Sequence, residues 1–404
     1  MTMATYTDIE VSELESSAKG ARYVLSHGGR HYEANATVVE LLRTLQSHAD
    51  EAEAIADYAA RSGGRYSPDE VEAFVAQRLR PIVAGGGAGK SRQFLYEREL
   101  LPASAIDRLS DALAVMFTPW VMAVTVTLAL GADLWFMLTA DNLLRVDGGV
   151  SIYGVAGLMV FMCASSMLHE LGHAAACKRM GVAHGGIGFG MYLTFPVFYT
   201  DVSRVWRLPR RKRLVVNLAG VYFQCFILAG LLVWYYAGGA SDDVARYLIL
   251  TMNLGFVLTL NPFFRFDGYW IASDALGVPN LRARSRELIG WAWRRLRHKP
   301  EGTRPYLLGL SGGAKWLMGV YAVAVNAFMG FYFFYALPMF LWSFAQSFPA
   351  EAERLIIYLG NGMTPPFSLL RNIVMQLLFL AMIGYMIWGL SRPLWKKYAG
   401  SRGK

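Results

Sequence analysis

Charge and cysteine are both scarce in this chain. Only 17% of its 404 residues are charged against 54% hydrophobic, and there are three cysteines and seven histidines. The low charge sets aside a wholly soluble reading and points to a multi-span membrane protein with soluble appendages. Cys163, Cys177 and Cys225 all fall in or at the ends of apolar stretches. That placement excludes a disulfide scaffold and reads as core filling. The opening Met-Thr-Met-Ala-Thr-Tyr-Thr-Asp has neither a basic start nor an apolar core, so no cleavable signal peptide is expected and insertion begins at the first span.

Apolar runs of about twenty residues predict six transmembrane helices, near 113–138, 151–179, 214–237, 245–264, 315–342 and 367–390. Lys178, Arg179, Arg204, Arg207, Arg210, Arg211, Lys212 and Arg213 fill the connection after the second span, and 265–315 is also rich in arginine. The opposite connections are acidic or neutral: Asp141 to Gly149, then Asp242 and Asp243, then Glu351 and Glu353. Basic loops stay cytoplasmic, so both termini are expected in the cytoplasm of a cell whose inner membrane holds the protein. The net charge of +9 is accounted for by this topology and by anionic membrane lipid, with no nucleic acid required. Leu281 to His298 joins Trp291 and Trp293 to six arginines, as expected of a helix lying on the cytoplasmic leaflet.

Inside the second span stands His169-Glu170-Leu171-Gly172-His173. Residues four apart share a helix face, so both imidazoles can reach one cation, and zinc suits such ligands. Glu170 flanks the metal and has the position of a general base acting on zinc-bound water. Ionisable groups in a spanning helix cost at least ~2.5 kcal/mol each, so they persist where a partner or a function holds them. Cys177 lies eight helical residues from His169, a rise of about 12 Å, too far to share the ion. The third ligand is expected to be Asp267, in Asn261-Pro-Phe-Phe-Arg-Phe-Asp-Gly-Tyr-Trp, where Pro262 and Gly268 break the helix. A turn aspartate is the simpler reading of that residue alone.

These residues, with the intervening Phe195-Pro-Val-Phe-Tyr-Thr-Asp201, resemble the site-2-protease class of intramembrane zinc metalloproteases. The run Asn261 to Trp270, followed by Ser273-Asp274 and Leu276-Gly-Val-Pro-Asn280, is similar to its peptide zinc metalloprotease branch, found beside genes for ribosomally made, modified peptides. The resemblance covers roughly residues 110 to 280. It implies that the spans bearing His169, His173 and Asp267 form a catalytic core with zinc near the cytoplasmic side. Val221 and Gln224 stand where many relatives have proline and asparagine. The oxyanion donor is therefore open, with Asn261 the choice and a helix-capping role its alternative. Gly185 to Pro196 alternates glycine and apolar residues, as a strand pair dipping into the bilayer would. In the resembling family such a hairpin lies near the active site, where an extended substrate can add to its edge. Tyr199 and Asp201 are candidate substrate contacts, whereas His184 reads as a loop residue.

The first 110 residues are a different kind of polypeptide. Arg22 to Glu33 alternates around a turn at Gly28-Gly29, Asn35 caps a helix through Val38, Leu41, Leu42 and Leu45, a second helix begins at Glu51, and Ser67-Pro-Asp-Glu opens a third. This order resembles a PqqD-like peptide-recognition domain, which binds precursor leaders by strand addition; a generic winged-helix scaffold is the alternative. The expected organisation is a tail at 1–20, the recognition domain at 21–84, a linker at 85–111, the membrane metalloprotease at 112–391 and a basic tail at 392–404. The fold class is thus mainly α and polytopic, with a small amino-terminal α+β domain.

Together these features imply a zinc endopeptidase that cleaves a ribosomally made precursor peptide, with partner proteins of a peptide biosynthesis or export system. Two alternatives stand beside it. One is regulated intramembrane proteolysis of a single-span signalling protein, against which the lack of a PDZ-like segment weighs. The other is a non-catalytic export or immunity component, against which Glu170 weighs.

Overall fold

Asn35, Asp50 and Ser67 start the three amino-terminal helices, as their side chains equip them to do. The structure, a computed structural model, describes residues 6–84, 94, 96–140, 143, 152–193, 195–238, 243–298, 305–310 and 312–401. Strands β1 (Glu10–Glu13), β2 (Arg22–His27) and β3 (Arg30–Asn35) form an antiparallel sheet in that order. Gly28 and Gly29 join β2 to β3 with φ of 56° and 74°, the left-handed pair that a two-residue hairpin turn demands. Asn35 accepts the Val38 N–H at 2.9 Å to open α1 (Ala36–Ser47), and Asp50 caps α2 (Glu51–Arg61). Ser67 and Glu70 make a reciprocal capping box at α3 (Pro68–Phe74). That helix continues through a π turn, Val75–Leu79, into α4 (Arg80–Ala84).

Ile9, Leu25, Leu42, Ala54, Val75 and Leu79 close the core of this domain. The domain therefore begins earlier than the boundary at residue 21: Ile9 is buried and β1 completes the sheet. The segment is too short to show a period in sequence, yet it supplies partners that the outer edge of β2 needs. The glycine linker at 85–89 lies outside the described residues.

The remaining elements are β4 (Tyr96–Leu101), α5 (Ala103–Leu113), α6 (Pro119–Thr139), α7 (Ile152–Arg179), β5 (Ile187–Tyr192), β6 (Phe195–Thr200), α8 (Arg210–Ala237), α9 (Asp243–Thr259), α10 (Asp267–Leu276), α11 (Leu281–Leu296), α12 (Gly312–Phe331), α13 (Leu337–Gly360) and α14 (Phe367–Ser401). The chain divides into two compact units, one of residues 1–92, 202–217 and 269–323 and the other of 93–201, 218–268 and 324–404. In the first, the amino-terminal domain is held by ion pairs of Glu10 with Arg207 and of Glu33 with Arg284, and by Arg22 and Arg284 packing on the Tyr306 ring. In the second, Phe136, Leu228, Tyr235, Ile249 and Met252 pack α6, α8 and α9 together. Ile106, Leu171, Ala174 and Ile187 join α5, α7 and β5.

Five helices are long and apolar enough to cross a membrane: Pro119–Thr139, Ile152–Arg179, Arg210–Ala237, Gly312–Gly360 and Phe367–Gly389. The sixth expected span, 245–264, forms α9, whose 17 residues extend about 25 Å, short of a hydrocarbon core of about 30 Å. Pro262 ends that run early. Glu351 and Glu353, expected in a connection, lie within α13. The strong helix formers around them, Ala350 to Leu355, carry the helix on. Of the expected connections, 141–142, 144–149 and 239–242 lie outside the described residues, and α14 continues into the segment expected as a basic tail.

The expected strand pair is present and belongs to a three-stranded antiparallel sheet, β4-β5-β6, with Gly188 opposite Tyr199 and Phe189 opposite Phe198. Strand β4 comes from the segment expected as linker and covers the outer edge of β5. Covering an edge that would otherwise leave backbone groups unpaired is what a hairpin at membrane depth requires.

Candidate metal centre

Helix α7 turns ten consecutive buried or nearly buried residues around the motif, and His169, Glu170 and His173 are each at most 9% exposed. The four-residue spacing brings the imidazoles onto one face, with His169 Nε2 and His173 Nε2 3.2 Å apart. Asp267, first residue of α10, completes the group: its Oδ2 lies 2.9 Å from His169 Nε2 and 3.3 Å from His173 Nε2. Among the described residues this is the one group of three or more His, Cys, Asp or Glu side chains close enough to hold an ion. Cys177 is buried and outside it, as the helical rise predicts. His184 is also outside it, hydrogen-bonded to the Gly185 carbonyl and 3.5 Å from Asp107.

The donor atoms fit a cation. A tetrahedral ion with bonds of about 2.0–2.1 Å requires donors about 3.3 Å apart, close to the 2.9 to 3.3 Å found here. His169 Nδ1 donates to Gln224 Oε1 at 3.2 Å, which leaves Nε2 as a lone pair facing the group. Asp267 Oδ2 is buried with no hydrogen-bond donor. Burial alone would raise the Asp267 carboxyl; positive charge carried by the His173 and His169 rings holds it below the ordinary carboxylate range. The anionic form is the one that ligates.

The support for His169 comes from α8. Gln224 donates its Nε2–H to Ser165 Oγ at 3.0 Å, and Ser165 turns its own proton to Met252 Sδ at 3.4 Å. This chain fixes the glutamine amide, which in turn fixes the imidazole tautomer. Gly220 lets the α8 backbone lie against the ring, since a Cβ there would collide with the His169 imidazole. In the sequence Gln224 registers as a departure from the resembling family. The available signal for its role is a polar side chain in an apolar helix.

Strands and loop support Asp267. Tyr192 Oη accepts the Arg265 N–H at 3.1 Å, and the Tyr192 and Phe195 rings pack edge-on against Phe266. Asn261 Oδ1 accepts the Phe263 N–H at 2.8 Å, which gives it a turn-forming bond before the broken helix end. Thr200 at the end of β6 donates to the Glu170 carbonyl at 3.2 Å, so the sheet meets the motif helix directly. Tyr199 packs its ring over Gly188 and stacks on Phe94 at 4.8 Å, and burial raises its phenol pKa. Asp201 accepts the Gly185 N–H through its carbonyl at 2.7 Å. The structure therefore gives Asn261, Tyr199 and Asp201 local structural contacts, and brings together His169, His173 and Asp267.

With that geometry in view, one known protein is similar. The chain is 25% identical over 145 residues to a protein of Bacillus subtilis (strain 168) named "Putative peptide zinc metalloprotease protein YydH". That likeness supports a zinc metalloprotease relationship. It covers 34% of this chain and 57% of the Bacillus protein, so the chain spans little more than half the length of its relative. No family model matches the chain, and no solved structure matches it.

Proposed function

We propose that this chain is an intramembrane zinc endopeptidase of the site-2-protease kind, acting on a ribosomally made precursor peptide. The observation that carries the reading is the convergence of His169, His173 and Asp267, with Glu170 beside them and not among the three ligands. Three protein ligands leave a fourth position for water, the pattern of catalytic rather than structural zinc. Bound zinc supplies a Lewis acid that polarises a carbonyl and makes water nucleophilic near neutral pH.

The protein's own groups do the rest. Glu170 takes the proton of the attacking water and passes it to the leaving amine. Asn261 contributes an amide N–H toward the developing oxyanion, its Oδ1 being engaged by Phe263. An extended substrate aligns along the sheet near β6, with Tyr199 and Asp201 as contacts, and a helical substrate unwinds locally to expose its scissile carbonyl. The amino-terminal domain acts as a PqqD-like recognition module. A leader bound there raises the local concentration of its own cleavage site. Both termini face the cytoplasm, where anionic lipid meets the basic connections.

Purified protein in detergent should carry one zinc per chain by elemental analysis. Asp267→Ala should lose most of it at unchanged abundance, whereas Glu170→Gln should keep it. Equal metal content in wild type and Asp267→Ala contradicts the ligand assignment.

A further inference from the structure

Helix α10 begins at Asp267 and ends at Leu276, so a rod of ten residues, about 15 Å long, has the candidate ligand at one end. A helix that short is marginal alone, and its last carbonyls have no partners within the helix. Here those carbonyls are taken by residues remote in sequence. Arg210 donates from Nε to the Asp274 carbonyl at 2.8 Å and from Nη2 to the Ala275 carbonyl at 2.7 Å. Ser17 donates from Oγ to the Leu276 carbonyl at 2.8 Å and from its backbone N–H to the Gly277 carbonyl at 2.9 Å. Gly277 sits at φ +64°, and a Cβ on it would strike Ser17 and Arg210.

A second layer holds the same end. The Asp274 carboxylate, 5% exposed, accepts from Arg213 Nε at 2.6 Å and from Asn217 Nδ2 at 2.7 Å. Arg213 also donates to the Glu15 carbonyl at 3.3 Å, and the Glu15 carboxylate accepts the Arg210 N–H at 2.9 Å. Residues 15 to 17 thus lie between the arginines and the helix end, on the segment joining β1 to β2 of the amino-terminal domain.

We infer that Glu15 to Ser17 form a strap by which the amino-terminal domain fixes α10 and, through it, the position of Asp267. Ser17 is a positioning residue: it touches neither ion nor substrate, and acts through the helix whose end it caps. A peptide seated on the β1-β2-β3 sheet bears on this strap, because the strap is the connection between two strands of that sheet. The recognition domain then regulates ligand geometry, in addition to tethering. The inference rests on the zinc reading of His169, His173 and Asp267.

Zinc affinity of the full-length protein in detergent, by competition with a chromophoric chelator, tests it. Ser17→Pro removes both strap bonds and should weaken zinc binding about tenfold, within the range for lost outer-shell support. Ser17→Thr keeps both donors and should restore wild-type affinity. If Ser17→Pro fails to accumulate, Ser17→Ala removes the hydroxyl bond alone and should give an intermediate loss. Equal affinity in wild type, Ser17→Pro and Ser17→Ala overturns the strap while leaving the metal centre standing. A wild type that binds no zinc overturns the metal reading itself, and the strap with it.

Discussion

At the scale of single residues, the centre divides into groups legible in sequence and groups that depend on packing. His169 and His173 are legible because one helix turn fixes their relation whatever the rest of the fold does. Asp267 is legible as a lone carboxylate between a proline and a glycine beside an apolar run. Gln224 is different: its contact with His169 depends on the register of α7 against α8, which no local spacing encodes. Its amide determines which imidazole nitrogen faces the cation, so Gln224→Ala should weaken zinc binding about 10- to 100-fold at unchanged protein abundance. Chelator competition measures this, and an unchanged affinity removes Gln224 from the site. Gln224→Leu should behave like the alanine variant, since neither accepts the Nδ1 proton.

At the scale of elements, close approach matters more than helix propensity. Helix α8 reaches His169 because residue 220 has no side chain. Gly220→Ala pushes a methyl into the ring, and overpacking of this kind costs about 1–3 kcal/mol. The expected outcome is a lower unfolding temperature together with lost zinc; a variant with wild-type zinc content contradicts the packing described. The small sheet carries a related lesson. The glycine and apolar alternation of 185–196 reveals β5 and β6, whereas β4 is concealed in a charged segment, Tyr96 to Leu101, whose burial comes only from pairing. Helix α9 was legible as apolar but its early end was set by Pro262, which shortens a run that hydropathy alone extends to residue 264.

At the scale of the whole molecule, composition and long apolar runs reveal the membrane class, and capping residues reveal the amino-terminal helices. The joining of residues 1–92 with 202–217 and 269–323 in one unit was not legible, because it rests on pairs such as Glu33 with Arg284 and Ser17 with Leu276 that lie hundreds of positions apart. The charge distribution predicts that both termini face the cytoplasm. Epitopes placed at the two ends should resist protease in intact spheroplasts and be cut in inverted vesicles; cutting of either end from outside contradicts that orientation.

The central claim is that this membrane-embedded centre hydrolyses peptide bonds. It is tested most directly by quantitative mass spectrometry of peptides and new protein termini in cells carrying wild type or Glu170→Ala at matched membrane abundance. The account predicts a short peptide lacking its leader in wild-type cells alone. A wild-type-only fragment of a single-span protein would move the substrate to signalling proteolysis, and identical peptide and terminus sets in the two strains, with the native gene cluster expressed, would contradict a protease altogether.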